Sequence, residues 1–311
     1  MKEYRFCVAG FLFGVSLPDG WKAEELLPSF QLFRDEGKKG QPLFCAEVTE
    51  ESMPVDSVEG DLIEDTVNDM GHVRLFVLSD GYRMEISHLS GEGIHCMQTD
   101  AAFTYAKIAL CPDDANRGYA LSSLLRMMFS QAILSERAVS VHASVVWADG
   151  YAYLFMGKSG TGKSTHAALW IKTFEGCGLL NDDNPVVRIE EEKVYVYGTP
   201  WSGKTPCYRN LRFPVAGMVR LKQADVNRFT LQKDADAFIA LLPACSVIRK
   251  DMSLHNDMCD TLVQLAGSIP VGLLECLPDK EAVLLCREKL TRKRQNYANQ
   301  EAGSEGVKPN A

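Results

Sequence analysis

The chain has 311 residues, is 46% hydrophobic and 24% charged, and carries a formal net charge of −8 at pH 7. That length leaves room for two domains, and the composition is ordinary for a globular protein. The acidic balance argues against nucleic acid as a main partner, since a phosphate backbone calls for a basic face. No apolar run reaches the ~18 residues that cross a bilayer, so no membrane partner is expected.

The opening Met1-Lys2-Glu3-Tyr4-Arg5-Phe6 contains an acid and lacks a small-residue cleavage site. No secretory leader is expected, and a cytoplasmic location is. Ten scattered cysteines, none in a C-x-x-C pair, argue against zinc ribbons and fit free thiols in a reducing compartment.

In chain order, residues 1–112 form a β-rich N-terminal region with an accessory or substrate-binding role. Arg5–Val15, Gln41–Val48, Val73–Leu78 and Tyr82–Ser87 are apolar runs separated by Gly, Pro and Asp, the punctuation of antiparallel strands. Ser79-Asp80-Gly81 predicts a hairpin turn. His72, His88 and His95 are scattered and are expected to be structural. Asp61, Glu64, Asp65 and Asp69 read as a solvated acidic face.

A second region, 113–291, opens with a helix over Arg117–Glu136, whose Leu121, Leu124, Leu125, Met128, Phe129 and Ile133 recur at helical spacing. Val139–Trp147 reads as a strand. Ala148-Asp149-Gly150 turns it, and Tyr151–Met156 returns as the other half of an antiparallel hairpin. Next stands Gly157-Lys158-Ser159-Gly160-Thr161-Gly162-Lys163-Ser164, a complete G-x-x-x-x-G-K-S motif, followed by Thr165 and a helical run. Strand, glycine loop and helix together are the arrangement that cradles phosphate. Backbone N–H groups converge on the anion, and the helix N-terminus adds partial positive charge. Lys163 reaches the outer phosphates, and the Ser164 hydroxyl suits Mg²⁺, a hard cation.

About twenty residues on, the apolar segment Leu179-Leu180 runs into Asn181-Asp182-Asp183-Asn184. Two adjacent carboxylates can divide the work, one on Mg²⁺ and the other taking the proton of an attacking hydroxyl. Neighbours on a strand point to opposite sides, so both serve one site only if the backbone turns there. His142, in the strand paired with the one that feeds the loop, is expected near the site. Lys204, in the loop Gly198–Thr205, is a candidate positive charge for substrate. Further hairpin strands are read at Pro185–Ile189 and Lys193–Tyr197, a strand at Val215–Leu221, helices at Ala235–Leu242 and Met252–Ala266, a strand at Pro270–Cys276 and a last helix at Lys280–Leu290. Residues 292–311 read as a polar, mobile tail.

Three stretches taken together, His142-Ala-Ser-Val-Val, Gly157–Ser164 and Leu180–Asn184, resemble the catalytic domain of HPr kinase/phosphorylase and the wider group with the phosphoenolpyruvate carboxykinase-like P-loop fold. The resemblance is clear over residues 139–184 and looser beyond. It implies an α/β domain with a mixed sheet and packed helices. It also implies Asp182 as general base, Ser164 and Asp183 near the metal, and His142 in support. Two departures, Thr165 where the family carries Glu and Gly198–Lys204 in place of its second signature, leave HPr as acceptor and the back-reaction unimplied. The expectation is an ATP- and Mg²⁺-dependent kinase, a homo-oligomer by resemblance, whose acceptor is a hydroxyl, such as a serine of a protein or peptide. Two alternatives stay open: a nucleotide-binding sensor without turnover, and a carboxykinase-like enzyme acting on a small metabolite.

Overall fold

A computed structural model describes residues 1–35, 37, 40–51, 60–68, 71–87, 93–203 and 205–304, with side chains to residue 292. Contacts divide the chain into two compact units, Met1–Glu136 with Val247–His255, and Arg137–Ser246 with Asn256–Ala311.

The first unit is built on eight strands, β1 (Lys2–Val8), β2 (Phe11–Leu17), β3 (Cys45–Thr49), β4 (Asp61–Asn68), β5 (Gly71–Val77), β6 (Gly81–Ser87), β7 (Ile94–Asp100) and β8 (Tyr105–Ala109), with a short helix α1 (Ala23–Leu26) and a long one, α2 (Arg117–Ala132). The sheet runs β1-β2-β3-β8-β7-β6-β5-β4. Pairings β2–β3 and β3–β8 are parallel and the rest antiparallel. Arg5–Val15, read as one run, is two strands, because Ala9 and Gly10 both take positive φ and close a two-residue turn. The turn at Ser79-Asp80 between β5 and β6 forms as the sequence predicts.

The division falls after Glu136, not at residue 112. The stripe on α2 faces this first core, where Phe129 packs on Phe11 and Phe13, and Phe13 in turn stacks on Phe44 at 4.8 Å. The acidic stretch is the edge strand β4, exposed along most of its length, with Asp65 bonded to His72 at 2.6 Å. His95 is fully buried between Asp114, 3.0 Å from its Nε2, and the Cys111 N–H, so it is a satisfied core residue. His88 and Asp69 lie outside the described residues.

The second unit contains β9 (Ala138–Ser140), β10 (Ala143–Ala148), β11 (Tyr151–Met156), α3 (Lys163–Thr173), β12 (Gly178–Asp183), β13 (Val186–Glu190), β14 (Lys193–Tyr197), β15 (Arg212–Gln223), β16 (Arg228–Gln232), α4 (Asp234–Leu241), most of α5 (Met252–Ser268), β17 (Val271–Cys276) and α6 (Lys280–Ser304). β10 and β11 form the expected hairpin, closed by Asp149 and Gly150, both at positive φ. β11 is also parallel to β15, and β15 to β17, so the sheet is mixed. Across this layer the order is β12-β10-β11-β15-β17-β16, while the first residues of β15 pair with β14, which leads on to β13 and β9.

The single strand expected over Val139–Trp147 is broken at Val141-His142, where the chain leaves β13 as partner and takes up β11 and β12. One face of the sheet, with Tyr153, Phe155, Val219, Leu221 and Leu274, buries against Ala167 and Trp170 of α3 and Val283, Cys286 and Leu290 of α6. Each large aliphatic or Phe side chain among them contributes roughly 1.5–3 kcal/mol. Helix α6 runs to Ser304, past the end expected at Leu290. Its extension is polar, but it holds Arg, Gln and Ala twice each with one Lys and one Glu, all good helix formers, so polarity alone does not end the helix.

Candidate active site

Site geometry follows from which strand ends meet. β11 delivers the chain into residues 157–162, and α3 begins at Lys163. The loop needs its glycines. Gly160 and Gly162 sit at φ 81° and 95°, and a Cβ on Gly157 would lie 2.5 Å from Thr161 Oγ1. The first i→i−4 bond of α3 runs from His166 N to Gly162 O, so the N–H groups of Lys163, Ser164 and Thr165 precede any intrahelical acceptor and face the loop.

The register places β12 against β10 with Ala143 opposite Asp183 and Ser144 opposite Asp182. Both acids therefore reach the mouth of the loop. The backbone does turn between them, since Asp183 has φ 148°, a costly value for a residue with a Cβ. A buried amide stabilises the turn. Asn181 donates to Thr199 Oγ1 at 3.2 Å and Trp201 O at 2.9 Å and accepts from Asn184 N at 3.0 Å, while Thr199 Oγ1 donates to Asn184 O at 2.7 Å. The strap 199–203 then closes over the acids: Ser202 bridges Asp183 and Gly203 N donates to Asp182 O at 2.5 Å. Any Cβ at Gly203 would come within 3.1 Å of that carbonyl.

Two hydrogen-bonded groups result. Asp182, 6% exposed, accepts from the hydroxyls of Ser144 and of Ser164, the latter at 3.0 Å. Asp183 Oδ1 lies 2.8 Å from His142 Nδ1, and its Oδ2 accepts from Asn184 Nδ2 at 2.7 Å. His142 Nε2 lies 2.9 Å from Lys163 Nζ, which also donates to Gly157 O and Lys158 O. An ammonium only donates, so Nε2 accepts and the imidazole proton sits on Nδ1, directed at Asp183. Burial pulls the Lys163 pKa below the ordinary lysine value, opposed by the charges of Asp183 and Asp182.

His142, Lys163, Ser164, Asp182 and Asp183 thus stand together. Ser164, however, lies against Asp182 and not against Asp183, the partner implied by the resemblance. Lys158, Ser159, Gly160 and Thr161 line the outer side of the loop, and Ser164 and Thr165 are exposed on the first turn of α3. Lys204 lies outside the described residues. His166 is a core residue whose pKa burial pushes down to about 4; its Nε2 accepts from Trp170 Nε1. Sequence reasoning missed Asn181, Thr199 and Ser144. Their signal was weak, a polar residue at a strand position with no charge to mark it.

The arrangement suits a nucleotide with Mg²⁺. No group of three His, Cys, Asp or Glu among the described residues makes a protein-only metal cage. The Ser164 hydroxyl and Asp182 carboxylate, 3.0 Å apart, would supply the one or two hard oxygen donors that Mg²⁺ takes from a protein when phosphate and water supply the rest.

A scan against protein-family models and a search of curated proteins find no match. Among solved structures, the chain is similar to the Hpr(Ser) kinase/phosphatase from Coxiella burnetii, at 15% identity and a TM-score of 0.31, over 53% of this chain and 96% of that one.

Proposed function

We propose that the second unit is a phosphotransferase that moves the terminal phosphoryl group of ATP to a hydroxyl, with Mg²⁺ held at Ser164 and Asp182. The observation that carries this reading is the pair of carboxylates at one loop mouth with separate partners. Asp182 is committed to two hydroxyl donors. Asp183 is oriented by His142, whose other nitrogen touches the loop lysine. A pure binder has no use for the second, oriented acid.

Within this reading the loop N–H groups and Lys163 hold the phosphate oxygens and offset charge that develops as the phosphoryl group moves. Mg²⁺, when bound, adds its own charge to that stabilisation. Asp182 positions Ser164 Oγ. Asp183 takes the proton of the incoming hydroxyl at a carboxylate oxygen, and the His142 Nδ1–H keeps that oxygen in place. This assigns the two acids the other way round from the resemblance, because Ser164 keeps company with Asp182. The acceptor we favour is a serine of a protein or peptide, the class suggested by the resemblance of the stretches around His142, Gly157–Ser164 and Asp182-Asp183 to HPr kinase/phosphorylase.

The test is transfer of labelled γ-phosphate from ATP by the purified protein to a cell extract. One labelled acceptor, lost with Lys163→Ala, supports the reading. Tight Mg²⁺-dependent nucleotide binding with neither transfer nor hydrolysis contradicts it and leaves a sensor.

A further inference from the structure

The site as described holds phosphates and acids but says nothing of what receives the rest of the nucleotide. The acids all lie on one side of the loop, at the ends of β10 and β12. On its other side, at the end of β15 and beside Leu273 of β17, is a cavity of about 570 Å³ lined by Lys158–Thr161, Arg220–Gln223, Gln232, Asp236, Ile239, Ala240 and Leu273. That volume is in the range of small-ligand sites, and its mix of apolar surface with a few polar groups is their usual character.

Arg220 is its distinctive feature. It sits on β15 in register with Met156, the last residue before the loop. It is half-buried, and among the described residues it has no hydrogen-bond or ion-pair partner. Its neighbours are satisfied: Lys222 and Arg228 share Glu275, at 2.9 and 2.7 Å. Gln223 Nε2 donates to Gly160 O at 3.2 Å and ties the end of β15 to the loop, so the position of Arg220 relative to the loop is fixed. A guanidinium partly withdrawn from water, without a carboxylate and facing a phosphate cradle, is matched by a phosphate oxygen, which it can bind with two parallel N–H groups.

We propose that this cavity receives the nucleoside of the bound triphosphate and that Arg220 binds its phosphates from the β15 side. The inference rests on the nucleotide reading above. The acids and His142 leave the β10–β12 side for the acceptor, so the nucleoside lies opposite. Ile239 and Leu273 offer the base an apolar wall, and Gln232 and Asp236 are the groups within the cavity that can hydrogen-bond a base edge or a ribose hydroxyl.

The experiment is calorimetric titration of the full chain with a non-hydrolysable ATP analogue and, separately, with inorganic tripolyphosphate, both with Mg²⁺. Ile239 is 57% exposed, so Ile239→Trp fills the cavity without disturbing a core. It should weaken the analogue at least about tenfold and leave tripolyphosphate unchanged. Arg220→Gln should weaken both at least about tenfold, the loss expected for one charge-assisted contact. Wild-type-like affinity for the analogue in both variants overturns this inference while leaving the nucleotide reading intact. Equal losses for both ligands in Ile239→Trp overturn the nucleoside assignment alone. Failure of the wild-type protein to bind either ligand overturns the nucleotide reading, and this inference with it.

Discussion

Asp182 and Asp183 are adjacent in sequence and chemically identical, and the backbone separates their roles. At Asp183 the chain adopts a φ that favours glycine, and the two carboxylates end in different company, one with two serine hydroxyls and the other with a histidine and an asparagine. The proposed division predicts different losses. Asp183→Asn should keep the size, the bond to Asn184 and nucleotide affinity within a few-fold, while transfer falls roughly 10²–10⁴-fold, the contribution of a positioned base. Asp182→Asn should instead abolish the Mg²⁺ dependence of binding. If the two variants show the reverse pattern in paired titration and transfer assays, the assignment implied by the resemblance is right and ours is wrong. Asn181 acts on both acids through the turn. Its side chain is fully buried with every bond made inside the protein. Asn181→Ala should cost about 1–3 kcal/mol in urea unfolding, because Thr199, Trp201 and Asn184 lose a partner out of reach of water.

Among the elements, what the sequence made legible was whatever had a local cause. The hairpin β10–β11 could be read because Asp149-Gly150 is a two-residue turn that tolerates positive φ at both positions. The loop could be read because its glycines and lysine stand at fixed spacing, and the convergence of Asp182 and Asp183 because both follow an apolar run. The break at Val141-His142 could not be read: nothing in Val-Ser-Val-His-Ala-Ser-Val marks a change of partner, which is decided by β12 and β13, some forty residues away. The end of α6 was missed for the opposite reason, a polar composition that is also a good helix former. The strap 199–203 was visible only as a glycine-bearing loop, and the close approach explains its glycine. Gly203→Val forces a Cβ toward Asp182 O and Asp183 Cβ. It should reduce transfer at least about tenfold by displacing the acids, with nucleotide affinity changed less, since the proposed phosphate contacts lie in residues 157–164. A variant with full transfer would show that the strap does not set the position of the acids.

At the scale of the whole chain, each unit encloses its own core, the first around Phe13 and Phe129, the second around Trp170 and Phe155. The ten cysteines are all free, and several are reporters buried in one unit or the other. Burial raises the thiol pKa of Cys96, in the first unit, to about 12, and that of the fully buried Cys286, in the second, higher still, so both are unreactive until their unit opens. A ligand held by the second unit stabilises that unit by mass action, by about 2.7 kcal/mol at a hundredfold excess over its Kd. Saturating ATP analogue should therefore slow alkylation of Cys286 and of Cys207, whose Sγ contacts Leu180 O beside the acids, and leave Cys96 unchanged. Equal slowing at all three would mean that the chain opens as one body. No helix among the described residues is long and apolar enough to cross a membrane.

The most direct measurement is the affinity of the purified protein for a non-hydrolysable ATP analogue with and without Mg²⁺, compared with Lys163→Ala under the same conditions. Binding that requires Mg²⁺ and disappears in the variant is the predicted result. Absence of binding by the wild-type protein, or binding indifferent to both Mg²⁺ and Lys163, would contradict a nucleotide site at Gly157–Ser164, and the phosphotransferase reading would fall.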